Sequence, residues 1–140
     1  MVKIEIVESL FEEIEKKFKE EASKIFDLME SLKDNPKKGK LLGTIGGIII
    51  KELKYKNFRF YFLTDGFKLK YLNKEYLNDL LLRFVRMSDK KHQQDVINEI
   101  KHILTIIGPS GFWLISLIFI FIKSVIIRQK DTMLGVGVYY

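Results

Sequence analysis

The stretch IIIKELKYKNFRFYFL, residues 48–63, decides the fold of this 140-residue chain. Two runs of β-branched and aromatic residues, 48–55 and 58–63, flank the dipeptide Lys56–Asn57. Such runs favour strands, and a two-residue connection between them is typical of a hairpin. The stretch therefore predicts two antiparallel strands at the centre of a sheet.

The chain on either side of this hairpin predicts further strands. The tripeptide TDG at 64–66 is typical of a hairpin turn, and FKLKYL at 67–72 alternates as a third strand would. Residues 73–82 fit either a short helix or a loop that leads into a strand. LLLRFVRM at 80–87 predicts a buried final strand, and VKIEIV at 2–7 predicts a short first strand.

A helical region is predicted before the hairpin. Ser9 and Glu12 have the spacing of a capping box, and apolar residues then recur at steps of three and four through residues 11–32. The pattern fits one long helix or two short helices with a break near 19–22. The dipeptide Asn35–Pro36 ends the region, because the residue before proline disfavours the α conformation. A basic, glycine-containing segment of turns or bulges follows.

One more helix is predicted after the final strand. Ser88 or Asp89 would cap it, and apolar residues keep helical spacing through 96–107 until the sequence GPSG at 108–111. The predicted fold class is α+β: a small, twisted, mostly antiparallel sheet with an N-terminal helical hairpin or long helix and a C-terminal helix, all helices on one face. The predicted domain is 1–107, followed by an apolar C-terminal extension, 108–140.

Charge is distributed unevenly along the chain. The formal net charge is +6. Residues 1–34 contain six Lys and ten Asp or Glu, whereas residues 35–101 contain fifteen Lys or Arg and seven Asp or Glu. The middle of the chain is thus basic and favours a polyanionic partner, above all RNA. The absence of Cys excludes disulfides and thiolate chemistry, and with only two His no metal site is predicted.

Four short motifs, in order, resemble the RelE/ParE superfamily of toxins. LKDNPKKGKLL at 32–42 resembles that family's helix end and loop, and KELK at 51–54 is similar to a strand motif. FRFY at 58–61 resembles its strand of aromatic, arginine, hydrophobic and tyrosine residues. FVRMSDKK at 84–91 is similar to its last strand and basic turn. The resemblance covers roughly residues 1–107.

The resemblance implies a toxin that a cognate antitoxin protein wraps and neutralises. RelE-like members are ribosome-associated endoribonucleases that cleave mRNA, whereas ParE-like members poison DNA gyrase. We expect a RelE-like nuclease that needs no metal and no small-molecule cofactor. The alternative is a ParE-like or catalytically inactive protein-binding module of the same fold.

Cleavage of RNA requires activation of the 2′-hydroxyl, stabilisation of the phosphate's charge and protonation of the leaving oxygen. Arginine suits the second task, because its planar guanidinium binds phosphate oxygens and stays charged. We predict catalytic roles for Arg59, Arg86, Tyr61, Lys54 and His92. We predict RNA binding by Lys51, Lys68, Lys70, Arg83, Lys90 and Lys91.

Three alternatives concern these residues. Arg59 is expected either to bind phosphate or to form an ion pair with Glu52. Tyr61 is expected either to stack on a base or to pack in the core. In a regular strand Arg83 and Arg86 point to opposite faces, so only one of them would lie beside Arg59.

The extension carries the most apolar stretch of the chain. From residue 110 to residue 127 the only charged side chain is Lys123, and the length is near the lower limit for a membrane-spanning helix. We weigh a membrane anchor against a segment packed on the domain or covered by a partner, and against a non-native extension. The predicted localisation is cytoplasmic, with membrane association through residues 110–127 as the further expectation.

Overall fold

A computed structural model describes residues 2–71 and 80–107 of the chain. The fold is α+β, as predicted, with strands and helices in the order β1 (Lys3–Ile6), α1 (Glu8–Phe18), α2 (Ala22–Glu30), β2 (Lys40–Ile45), β3 (Ile48–Tyr55), β4 (Phe58–Asp65), α3 (Gly66–Tyr71), β5 (Leu81–Asp89) and α4 (Gln93–Ile107).

The strands form one five-stranded sheet in the order β1-β5-β4-β3-β2. The strand β1 pairs with β5 in parallel, and every other neighbouring pair is antiparallel. The predicted hairpin of β3 and β4 is confirmed and lies near the centre, with Leu53 opposite Phe60. The first strand and the last strand of the described residues are therefore neighbours in the sheet.

The N-terminal helical region consists of two helices. A 3-10 turn at Lys19–Glu21 separates α1 from α2, and Lys19 has a φ of 51°. The rings of Phe11 and Phe26 stack with centroids 4.6 Å apart, so the helices pack against each other as a hairpin. The predicted capping box is wrong, because the helix begins at Glu8 and its N-cap has no side-chain hydrogen bond.

The predicted third strand at 67–72 is wrong, because α3 occupies this segment. Strand β4 continues to Asp65, whose Oδ1 accepts a hydrogen bond from the backbone N–H of Lys68 at 3.1 Å. The N–H of Gly66 donates to the carbonyl of Gly47 at 2.8 Å. Aspartate before glycine is typical of a hairpin turn, but here the carboxylate caps the first turn of a helix.

A strand was also missed in the sequence. Strand β2 pairs with β3 and carries a bulge between Leu41 and Gly43, and the turn that follows holds Gly46 and Gly47 at φ values of 57° and 85°. Glycines are rare inside strands, so this segment resembled a loop.

Helices cover both faces of the sheet rather than one. On the α1/α2 face, Phe18 contacts Phe58 and Phe60 with ring centroids 5.0 Å and 6.2 Å away. On the α4 face, Glu99 forms an ion pair with Arg86 of β5. The central strand β4 is consequently buried on both sides, which explains why its sequence does not alternate.

Candidate nucleic-acid interface

One row of side chains crosses three strands on the α4 face. Lys54 pairs with Arg59 across β3 and β4, and Arg59 pairs with Ser88 across β4 and β5. Directly paired residues project to the same face of a sheet, and neighbouring strands lie about 4.8 Å apart. The row therefore places Lys54, whose side chain is exposed, and Arg59, whose side chain is buried, opposite each other on the same face.

Arg59 is buried but only partly satisfied. Its side chain is 8% exposed, and Nη1 donates to the carbonyl of Asn57 at 3.4 Å. Its Nε is buried without a hydrogen-bond partner, as is Oε2 of Glu52 on the next strand. No ion pair between Arg59 and Glu52 occurs among the described residues. An unmet buried donor costs roughly 1–3 kcal/mol, so Arg59 retains hydrogen-bonding capacity for a ligand.

Tyr61 lies in the next row and is fully buried. Its hydroxyl is 2.7 Å from Oγ of Ser88, and burial raises the pKa of Tyr61. Of the two predicted roles, the structure agrees with the packed one, because no face of the ring is open for a base. Ser88, which sequence reasoning offered only as a helix cap, is the hydroxyl partner that holds this tyrosine.

The prediction that Arg83 and Arg86 point to opposite faces is wrong. The register shifts beside Tyr61, which pairs with Arg86, while the next residue of β4 pairs with Phe84. Val85 is thus an extra residue, and a bulge of this kind reverses the alternation of the strand. Both arginines lie on the α4 face, one against Glu5 at 3.2 Å and the other against Glu99 at 2.5 Å.

Lys51 lies on the α1/α2 face, apart from the row of Arg59. Its side chain is 5% exposed and donates to the carbonyl of Lys37 at 2.6 Å. Nζ also lies 6.0 Å from the centre of the Phe62 ring. Burial lowers the pKa of Lys51. The side chain holds the loop before β2 and is not accessible to RNA in this structure.

Lys68 and Lys70 also lie apart from Arg59. They belong to α3, which follows the far end of β4, whereas Arg59 is the second residue of that strand. Seven residues of extended chain place them roughly 20 Å away. A single surface that joins all the predicted RNA-binding lysines does not form.

Lys90, Lys91 and His92 follow β5 directly and are exposed. Asp89 accepts a hydrogen bond from the backbone N–H of His92 at 2.8 Å and lies 2.8 Å from Nδ1 of the same residue. These bonds, the backbone one first, lower the pKa of Asp89. The predicted cap by Asp89 is not formed, because Asp89 ends β5 and bonds to His92 in the turn before α4, which begins at Gln93. The same carboxylate also contacts the imidazole of His92.

We define the basic end of the sheet by Lys54, Arg59, Arg86, Lys90 and Lys91. The register sets Arg59 opposite Ser88, two residues before Lys90, so these side chains gather where β3, β5 and the start of β4 meet. Within residues 2–71 and 80–107, Lys54, Lys90 and Lys91 form no ion pair. Three exposed lysines without ion pairs, on elements that flank the buried Arg59, suit a phosphate backbone.

A cleft beside β5 was not predicted. It has a volume of about 440 Å³ and lies between α1 and α4, where it is lined by Glu13, Lys17, Phe58, Arg86, Met87, Ser88, Asp89, His92, Asp95, Val96 and Glu99. It exists because β1 is only four residues long and stops short of the end of β5. In the sequence, the only feature that could have indicated this cleft is the shortness of the strand segment VKIEIV before the helix.

Two expectations concern ligands and membranes. Among the described residues, no three His, Cys, Asp or Glu side chains are grouped to hold a metal ion. No helix within the same part of the chain has the length and apolarity to cross a membrane. The predicted membrane contact through residues 110–127 lies outside the described residues.

Comparison of the chain with protein-family models, with curated proteins and with solved structures gives no match.

Proposed function

We propose that this protein is a RelE-like toxin whose basic end binds RNA at the ribosome. The observation that carries the proposal is the row of Lys54 and Arg59, in which an exposed lysine is paired across the strands with a buried arginine that has an unmet donor. Lys90 and Lys91 extend the positive charge next to this row. Such an arrangement favours a phosphodiester over a neutral ligand.

Cleavage of mRNA is the proposed activity, and Arg59 is its central residue. A guanidinium beside the scissile phosphate would stabilise the charge that develops on the phosphate oxygens as the 2′-oxygen attacks. Lys54 and His92 are the accessible groups for proton transfer, and neither requires a metal or an organic cofactor.

The arrangement of elements supports the same proposal. The sequence predicted a RelE-like, mostly antiparallel sheet with an N-terminal helical hairpin or long helix and a C-terminal helix, and this chain has those elements. A cognate antitoxin protein is the expected partner, and mRNA on the ribosome is the expected target.

A second candidate function is supported by a separate observation. Tyr61 is buried against Ser88, and Arg86 is engaged by Glu99, so two of the predicted catalytic side chains serve the fold. This favours a ParE-like or catalytically inactive module that acts by binding a protein.

Translating ribosomes programmed with one defined mRNA separate the two candidates. The full chain is expected to cut the message, and Lys54→Gln is expected to lower the rate about tenfold through loss of one phosphate contact. Lys3→Gln is the matched control, because Lys3 is exposed on β1 and pairs with Leu81, at the opposite end of β5 from Ser88. Intact mRNA together with inhibited gyrase supercoiling would favour the second candidate instead.

A further inference from the structure

Strand β5 continues beyond its neighbour β1. The pairing of the two strands ends at Ile6 and Phe84, whereas β5 runs on to Asp89. The chain of β1 turns away into α1, which begins at Glu8. The last five residues of β5, 85–89, thus have no strand on their outer side among the residues that the structure describes.

The direction of the backbone groups on this edge follows from the register. The carbonyl of Phe84 accepts a hydrogen bond from the N–H of Val7, so the polar backbone groups of Phe84 point outward. Pairing groups alternate along a strand, and the bulge at Val85 shifts this alternation by one residue. The N–H and carbonyl of Met87 therefore point to the open edge, away from β4.

This edge forms the floor of the cleft described above. Glu13 and Lys17 of α1 line one side, and Asp95 and Glu99 of α4 line the other. Met87 is only 6% exposed, but its outward backbone groups have no strand partner among the described residues. An unpaired strand edge between two walls of side chains is the geometry that binds an extended peptide by strand addition. Five residues of strand span about 17 Å, which accommodates five or six residues of such a peptide.

The charges of the cleft select the peptide. Four carboxylates line it, against Lys17, Arg86 and the imidazole of His92. Glu99 is paired with Arg86 and Asp89 with His92, while Asp95 is exposed and forms no ion pair within residues 2–71 and 80–107. The lining alone thus carries more negative than positive side chains, in contrast to the neighbouring basic end of the sheet, and favours a cationic partner.

We propose that the edge of β5 at residues 85–89 receives an extended, cationic segment of a partner protein, which adds as a sixth strand between α1 and α4. Apolar side chains of this segment contact Met87 and Phe58, and its basic side chains face Asp95. The proposal does not rest on action against RNA, because Lys54 and Arg59 do not line the cleft, although Arg86 and His92 do.

An acetylated and amidated hexapeptide of alternating valine and lysine is the probe, titrated into the ¹⁵N-labelled full chain. We expect saturable shifts that centre on the amide of Met87, and slower hydrogen exchange at that amide in the complex. A hexapeptide of valine and glutamate is expected to bind about tenfold more weakly. A second valine–lysine peptide carries N-methyl groups on every second amide, along the edge that would pair with β5. This peptide is expected not to bind.

The variant Asp95→Lys is expected to weaken the binding of the valine–lysine peptide about tenfold. Asp27→Lys is the matched control, since Asp27 is exposed on α2 outside the cleft, and it should leave the affinity unchanged. Equal binding of the N-methylated peptide, shifts centred elsewhere or no binding overturns the proposal. Slow hydrogen exchange of the Met87 amide in the free protein also overturns it. A dilution series would then decide whether a second copy or the chain's own residues 108–140 protect that amide.

Discussion

The two faces of the sheet differ in how they treat charge. On the α1/α2 face, Lys51 is buried, bonded to a backbone carbonyl and placed over an aromatic ring. On the α4 face, Lys54 is exposed, and its neighbour Arg59 keeps an unmet donor. The two lysines are three residues apart in one strand. Their surroundings, rather than their residue type, make Lys51 part of the fold and leave Lys54 available to a ligand.

The largest expected effect concerns the aromatic packing of the α1/α2 face. Phe60→Ala is expected to lower the free energy of unfolding by about 3–5 kcal/mol, because Phe60 is fully buried and its removal leaves a cavity beside Phe18. Urea denaturation measures the loss. Phe11→Ala is the control, as Phe11 is partly exposed. Equal losses in both variants would mean that this face is not the core.

Arg59→Met tests the α4 face. We expect RNA affinity to fall about tenfold or more, while the free energy of unfolding stays within about 1 kcal/mol of the wild type or rises. The physical reason is that the variant removes a buried donor that has no partner. Filter binding and urea denaturation give the two quantities. A stability loss of several kcal/mol with unchanged RNA affinity would assign Arg59 to the fold.

A smaller effect is expected at the bond between Tyr61 and Ser88. Tyr61→Phe and Ser88→Ala should each cost about 1 kcal/mol, and the double variant should cost less than the sum, because both remove the same hydrogen bond. A double-mutant cycle from thermal or urea unfolding measures the coupling. Full additivity would show that the hydroxyls do not interact, which would reopen a ligand role for Tyr61.

The smallest expected effect is the pH dependence from Lys51. Burial lowers its pKa in the folded state, so the unfolded chain binds the proton more tightly. Stability should therefore rise with pH between that lowered value and the ordinary 10.5 of lysine, relative to a Lys51→Met variant. Lys54→Met is the exposed control. A difference between wild type and Lys51→Met that does not change with pH in this window would contradict the burial of Lys51.

The hairpin of β3 and β4, the last strand and the last helix were predictable because their apolar patterns are long and their partners adjacent. The helix at Gly66 was not, since its alternating sequence fits a strand. The helix is instead stabilised by the carboxylate of Asp65 and by a contact with Gly47, which is distant in sequence. Of the predicted site, Lys54, Arg59, Arg86 and the basic turn after β5 come together. That Lys51 lies on the opposite face from Lys54 follows from the alternation of side chains along a strand. Its burial, however, depends on the loop that covers it.

The bulge at Val85 limits which deletions strand β5 can accept. Without the extra residue, Arg83 and Arg86 would point to opposite sides of the sheet, so one of the two ion pairs, with Glu5 or with Glu99, would be lost. A deletion of one residue between the two arginines would thus change the face to which side chains point, and would not merely shorten the strand. Glu5 of β1 and Glu99 of α4 both form ion pairs with β5 only while the extra residue is present.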